Sequence, residues 1–168
     1  KSYIVNFLKF LKHGGVKYVS VTFTNPDARY TNKKVFISGG SEGLGRAMAK
    51  AYLAEGAEVI VTGRSKEKLS NFQLSESNAK LHTLVWDALD FDSYKQKFDE
   101  AVSMMGRIDI FVNNVGGGMS KYEPWNAYTA EVLDRTYDIN TKSMFLMCQM
   151  EGLYMIDLSL IHIRRCRR

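Results

Sequence analysis

The stretch that decides the fold runs from Lys34 to Glu55 and reads KVFISGGSEGLGRAMAKAYLAE. Its first five residues are mostly apolar and β-branched, which predicts a buried strand ending at Ser38. Its last ten residues are rich in helix formers, and the following Gly56 is a residue that commonly ends helices. The glycine-rich turn therefore joins a strand to a helix. Such a turn offers bare backbone and the free N–H groups of a helix N-terminus, which together bind phosphate.

Strands and helices continue to alternate after this turn. Three further short apolar runs predict strands at 58–62, 81–86 and 108–112. Segments rich in helix formers predict helices at 65–72, 92–105 and 129–145. Strands and helices that alternate at this spacing form βαβ units around a parallel sheet, which makes the fold class α/β.

Composition and charge exclude several classes of protein. The chain has 168 residues, of which 45% are hydrophobic and 24% charged, so it is neither disordered nor fibrous. The net charge is +5, but the basic residues lie mainly in the two ends, and residues 31–149 carry a net charge of −1. This distribution argues against a nucleic-acid partner. Two late cysteines favour a reducing, cytoplasmic location, and the His and Cys spacing predicts no metal site.

Three segments differ in their pattern. Residues 1–30 form a leader in which apolar residues recur at helical spacing with lysines between them. This favours a short helix packed on the body of the protein, with contact to a membrane surface as the alternative. Residues 31–149 hold the regular βα pattern. Residues 150–168 end in LSLIHIRRCRR, which resembles a translated sequencing adaptor, so we interpret this tail as an artefact; the alternative is a genuine basic tail.

Four motifs in order resemble the short-chain dehydrogenase/reductase family. Ser38–Gly45 is similar to the family's T-G-x-x-x-G-x-G cofactor loop, with Ser in place of Thr. Asn113–Gly116, preceded by the family's usual G-x-I-D lead-in, is similar to its N-N-A-G motif, with Val in place of Ala. Asp87 matches the acid after the third strand, and Asp138–Asn140 matches the helix segment that carries the family's asparagine.

This resemblance implies a Rossmann-type doubly wound parallel sheet, here truncated after the fourth strand and the following helix. The strand order should be 3-2-1-4, with a nicotinamide dinucleotide at the carboxyl ends of strands one and four. Asn140 is assigned the family's supporting role in the proton relay. The cofactor-binding residues are predicted to be Ser38, Gly39, Ser41, Glu42, Gly43, Leu44, Gly45, Arg64, Asp87, Ala88, Asn114 and Gly116.

The residue after the second strand indicates which nicotinamide cofactor is bound. NAD-specific sites place an acid there to bind the ribose 2′-hydroxyl, and that acid would repel a 2′-phosphate. This chain has Arg64, whose guanidinium suits a phosphate dianion, so NADP is favoured over NAD. Glu42 argues the other way, since some NADP-preferring relatives carry a basic residue at that position.

The family's catalytic residues are a Ser and a Tyr-x-x-x-Lys pair. Tyr30 and Lys34 have this spacing, but the pair lies at the start of the first strand, before the cofactor loop, and we interpret the match as chance. Ser159 follows Asn140 too closely to be the family's serine. We therefore expect the chain to carry the cofactor-binding half and to lack dehydrogenase activity by itself.

The predicted function is NADP(H)-dependent hydride transfer between a nicotinamide and a small-molecule carbonyl or alcohol substrate. One alternative is a non-catalytic dinucleotide-binding or regulatory protein. A second is a membrane-associated lipid-pathway ketoreductase, which the leader suggests. We expect the full-length parent protein to form a homo-oligomer.

Overall fold

The computed structural model describes residues 29–76, 80–117 and 128–160. Four strands and five α-helices alternate within these residues. Their bounds are β1 Lys34–Ser38, α1 Gly43–Ala54, β2 Glu58–Gly63, α2 Lys66–Ser75, β3 Leu81–Val85, α3 Tyr94–Met105, β4 Ile110–Asn113, α4 Ala130–Tyr137 and α5 Ser143–Asp157. The strands pair in parallel in the order β3-β2-β1-β4, which confirms the predicted α/β class and the strand order. The leader lies outside the described residues, apart from Arg29 and Tyr30.

The sheet is covered on both faces, which explains why its strands are apolar without alternation. Successive side chains of a strand point to opposite faces. Val35 and Ile37 pack with α1 and α2 on one face. Phe36 packs on the other face, in the cluster that contains Phe98 of α3 and Met147 of α5. The carboxyl ends of the four strands therefore emerge together between these two layers.

The last predicted helix differs most from the structure. The predicted end at Phe145 is wrong, because a π-helical segment, Asp138–Lys142, follows α4, and α5 then continues to Asp157. The sequence of α5 is rich in Met and Leu, and Met147 and Glu151 lie buried one turn apart against the sheet. Ser159 lies just beyond this helix with a φ of +56° and is not part of a strand.

The fourth strand also begins later than predicted, at Ile110 rather than Ile108. The residue before it, Asp109, is held at the amino end of β1 instead. Its N–H donates to the carbonyl of Lys34 at 2.8 Å, and its carboxylate accepts from the Lys34 N–H at 3.0 Å. Ile108 is fully buried in the core before the strand begins.

Candidate functional site

A cleft of about 680 Å³ opens at the carboxyl ends of the strands. It is lined by the glycine-rich turn, by the residues that follow β2, β3 and β4, and by one face of α4. Eight of the predicted cofactor residues line it: Gly39, Ser41, Glu42, Arg64, Asp87, Ala88, Asn114 and Gly116. Ser38, Gly43, Gly45 and Asn140 lie next to lining residues, whereas the Leu44 side chain is 78% exposed and points away from the core. That these residues bind a cofactor stays a prediction.

Ser38 and Asn114 join the end of β1 to the end of β4. The buried Ser38 Oγ accepts hydrogen bonds from the backbone N–H groups of Asn114 and Val115 at 3.0 and 3.2 Å. In return, Asn114 Nδ2 donates to the carbonyl oxygens of Ser38 and Gly39 at 3.3 and 3.0 Å. These two side chains therefore shape the turn, which gives them a structural role beneath the cleft.

The glycines of the turn serve two different needs. A Cβ at Gly45 would overlap the carbonyl oxygen of Gly39 and would lie 2.6 Å from Asn114 Nδ2, so only glycine allows α1 to approach β1 this closely. Gly43 has a φ of +58°, and a Cβ there would meet no protein atom within 4 Å. Open space above bare backbone at a helix N-terminus is what close approach of a pyrophosphate requires.

The N-terminus of α1 keeps its N–H groups available. Glu42 is the N-cap residue, but its side chain makes no capping hydrogen bond. Instead, Glu42 Oε2 accepts from Lys68 Nζ at 2.7 Å, and this hydrogen bond holds the pKa of Glu42 below its usual range. Glu42, which argued against NADP in the sequence, is thus paired with a cation. The first turn of α1 therefore fits the phosphate groups of a dinucleotide.

Past the end of β3, the chain forms a fixed turn at the cleft. Asp87 Oδ1 accepts from the Leu89 N–H at 3.0 Å, and Tyr94 Oη donates to the Ala88 carbonyl at 2.6 Å. Burial raises the pKa of Tyr94 to about 12, so its hydroxyl keeps its proton and holds this turn. Tyr94 therefore acts as a structural donor here.

Asn140 supports the loop after β4 from within the π-helical segment. Its Oδ1 accepts from the Gly117 N–H at 3.1 Å, while its Nδ2 donates to the carbonyls of Gly117 and Thr136 at 2.7 and 2.9 Å. A Cβ at Gly116 would lie 3.1 Å from Asn140 Oδ1. Asn140 thus positions residues 116–117 at the edge of the cleft, and π-helical segments often occur at such functional sites.

Removing this side chain should loosen the loop. We expect Asn140→Ala to lower the free energy of unfolding by about 1–2 kcal/mol, because backbone groups of Gly117 lose their partners. Asn140→Asp should cost at least as much at pH 7, since a carboxylate oxygen would face two carbonyl oxygens. Urea titration and amide exchange at Gly117 measure the effect, with Asn71→Ala on the exposed side of α2 as the control. Unaltered exchange at Gly117 would contradict the assignment.

One wall of the cleft was missed by sequence reasoning. Tyr128, which precedes α4, and Val132, Arg135, Thr136 and Ile139 all line the cleft. In the sequence, these residues are separated by four, three, one and three positions, a spacing that places them on one face of a helix. This spacing is the one feature of the sequence that could have indicated the wall. Without the fold, this face cannot be told apart from a face that packs on the core.

A buried acid lies beneath the end of β4. Glu151 of α5 is 6% exposed, and its Oε2 accepts from Asn113 Nδ2 at 2.6 Å. Burial raises the pKa of Glu151 to about 7, although the hydrogen bond from Asn113 opposes this shift. Glu151 lies in residues 150–168, the segment whose sequence we interpret as an artefactual tail. The boundary between residues 149 and 150 stays a prediction, although α5 continues across it.

The remaining residues considered from sequence lie away from the cleft. Tyr30 packs edge-on against Tyr52, and Lys34 Nζ lies 3.6 Å from Glu58 at the amino end of the sheet, opposite the cleft. In the described parts of the chain, no group of three or more His, Cys, Asp or Glu side chains is arranged to hold a metal. None of the helices described there is long and apolar enough to cross a membrane.

Comparison with known proteins identifies the family. The sequence model of the family described as short chain dehydrogenase matches residues 33–159. This chain belongs to the short-chain dehydrogenase family.

Relatives of this short-chain dehydrogenase are found among characterised proteins and solved structures. It is 35% identical over 127 residues to levodione reductase of Leifsonia aquatica, covering 73% of the chain and 47% of the relative. It is 30% identical over 115 residues to the NADPH-dependent 3-dehydrocapnine reductase of Ornithobacterium rhinotracheale, covering 67% of the chain and 40% of the relative. A short chain dehydrogenase from Bacillus anthracis superposes with a TM-score of 0.69 at 31% identity, covering 75% of the chain and 51% of that structure. The chain thus spans about half the length of the relatives it matches.

Proposed function

We propose that this chain forms the dinucleotide-binding part of an NADP(H)-dependent oxidoreductase. The reaction would transfer a hydride between the nicotinamide and a small-molecule carbonyl or alcohol. The observation that carries the proposal is a cleft lined by a glycine-rich strand-to-helix turn, in which the residue after β2 is Arg64 rather than an acid. Membership of the oxidoreductase family supports the reaction class.

The glycine-rich turn supports binding of the pyrophosphate. Gly43 leaves open space above the backbone, and the side chain of Glu42 leaves the N–H groups of the first turn of α1 uncapped. Four consecutive N–H groups at a helix start lack intrahelical partners, and the helix dipole adds a partial positive charge there. When bound, the cofactor would supply or accept the hydride, and these residues would hold its phosphates.

Arg64 supports a preference for the 2′-phosphate of NADP. Its side chain is exposed and lines the cleft directly after β2, where, beside the hydrogen bond from Lys68, its charge helps to lower the pKa of Glu42. A planar guanidinium offers two parallel N–H donors to a phosphate, and this geometry favours a dianion over a hydroxyl. Lys68 pairs with Glu42 and so reduces the repulsion that this acid would exert on a phosphate. One relative of similar identity is named as NADPH-dependent.

The proposal has further parts that follow from the sequence rather than from the cleft. We propose a cytoplasmic location, no nucleic-acid partner, and a homo-oligomeric full-length protein. The acid/base of the hydride transfer is not assigned to a residue of this chain. Binding of adenine nucleotides, rather than turnover, is therefore the direct test of the site.

We expect Arg64→Asp to weaken binding of adenosine 2′,5′-bisphosphate by roughly tenfold to a hundredfold, the effect of losing one charge-assisted phosphate contact. Binding of 5′-ADP, which lacks the 2′-phosphate, should change little. Isothermal titration of the 168-residue chain with both nucleotides measures this difference.

The control is Lys66→Asp, which makes the same change of charge two residues away, at an exposed position that does not line the cleft. Equal affinity of the parent chain for both nucleotides would refute the NADP preference. An equal loss in the Lys66 variant would show a general charge effect and would also refute the role of Arg64.

A further inference from the structure

One end of the cleft is lined mostly by apolar side chains from two elements, which together form an apolar slot. After β3, these are Trp86, Ala88 and Leu89, with the carboxylate of Asp87 among them. From α4 and the residue that follows it, they are Val132 and Ile139, with Thr136 between them. Ile139 packs against the cluster that contains Trp86 and Ala88, so the two sides are in contact. A slot lined mostly by apolar side chains suits a planar heterocycle better than a phosphate group.

Arg135 stands on the α4 wall of this slot. It lies three residues after Val132 and four before Ile139, a spacing that places all three on one helix face. Its side chain is exposed, and it makes no hydrogen bond or ion pair with another described residue. The nearby Asp138 is engaged by Lys142 at 3.4 Å. The guanidinium of Arg135 is therefore available to a ligand.

The position of Arg135 distinguishes it from Arg64. Arg64 follows β2 and adjoins the glycine-rich turn, where the phosphates are expected. Arg135 adjoins the apolar slot, where no phosphate group is expected. A guanidinium next to an apolar slot interacts best with a flat π-system, because it stacks on aromatic faces and loses little hydration there.

We propose that Arg135 is an affinity-determining residue of the cofactor site, whose guanidinium packs over the adenine ring held between the β3 wall and α4. This inference rests on the proposed function. It assigns to Arg135 a contact with the base, whereas Arg64 contacts the 2′-phosphate. Loss of Arg135 should therefore weaken every adenine nucleotide equally, with or without the 2′-phosphate.

The test is titration of the 168-residue chain with 5′-ADP, adenosine 2′,5′-bisphosphate and inorganic pyrophosphate. We expect Arg135→Gln to weaken both adenine nucleotides by about fivefold, as for a partly exposed cation–π contact, and to leave pyrophosphate unchanged. Arg135→Lys keeps the charge without the planar group and should fall between the parent and Arg135→Gln. Lys95→Gln is the matched control, since it removes the same charge from an exposed site on α3.

The outcomes separate this inference from the proposed function. The contact with the base is refuted if Arg135→Gln binds both nucleotides as tightly as the parent does. It is also refuted if the variant loses as much affinity for pyrophosphate as for the nucleotides. If the parent binds both nucleotides equally well but Arg135→Gln still weakens them, the NADP preference fails while the contact with adenine stands. If the parent binds neither adenine nucleotide, both proposals are overturned together.

Discussion

Replacing Gly45 with alanine should abolish binding of adenine nucleotides and lower the free energy of unfolding by about 2–3 kcal/mol. The added Cβ would overlap the Gly39 carbonyl and lie 2.6 Å from Asn114 Nδ2, and the backbone of the turn would have to move. Alanine normally stabilises a helix interior by about 1 kcal/mol over glycine, but this gain is smaller than the cost of the overlap. The displaced turn would also lose the hydrogen bonds that Asn114 Nδ2 donates.

Gly43→Ala is the matched variant, two residues away in the same turn. Its Cβ meets no protein atom within 4 Å, so the fold should lose only the roughly 1–2 kcal/mol that a side chain costs at a φ of +58°. Nucleotide binding should still fall, because the methyl group occupies the space above the bare backbone. Urea unfolding and nucleotide titration on both variants measure the two effects. A Gly45→Ala chain as stable as the parent would contradict the close approach of α1 to β1.

The second large effect concerns Glu151→Gln, which should stabilise the chain at pH 8 by about 3 kcal/mol and change little at pH 5. The pKa of the Glu151 carboxyl is raised from 4.5 to about 7 in the folded chain by burial. Between these two values the unfolded chain releases a proton that the folded chain retains, so stability falls as the pH rises from about 4.5 to 7. Each unit of difference between the folded and unfolded pKa values changes the free energy of unfolding by about 1.4 kcal/mol. Above pH 7 the full destabilisation by the buried charge remains. Glutamine keeps the size and an oxygen acceptor for Asn113 but carries no charge.

Urea unfolding at several pH values between 4.5 and 8 measures this effect as the difference between the parent and the variant. All other ionisable groups are present in both chains, so their contributions cancel in this difference. Asp157→Asn is the matched control, because it removes an exposed acid from the end of the same helix. If the free energy of unfolding changed with pH in the same way for the parent and for Glu151→Gln, the Glu151 carboxyl would not be buried in the folded chain.

The sequence by itself determined the class of fold through local patterns: short apolar runs, helix formers between them, and glycines at a strand-to-helix turn. The strand order and the position of the cleft followed from the resemblance of four motifs to a known family. In a parallel sheet the carboxyl ends of all strands meet at one edge, so residues such as Arg64 and Asp87 could be placed together from their positions along the chain. The π-helical segment after Tyr137 and the continuation of the helix beyond Phe145 were not predicted, because neither has a distinct local pattern.

Only the tertiary structure decided what the individual side chains do. Ser38 and Asn114 lie 76 residues apart in the chain, and their hydrogen bonds exist because β1 and β4 are neighbours in the sheet. Similarly, Glu151 has a raised pKa because α5 packs it against the end of β4, and an isolated glutamate in the sequence carries no sign of burial. Arg135 lines the cleft because α4 turns that face toward the end of β3. Each of these roles depends on contacts between distant parts of the chain, which local sequence patterns do not encode.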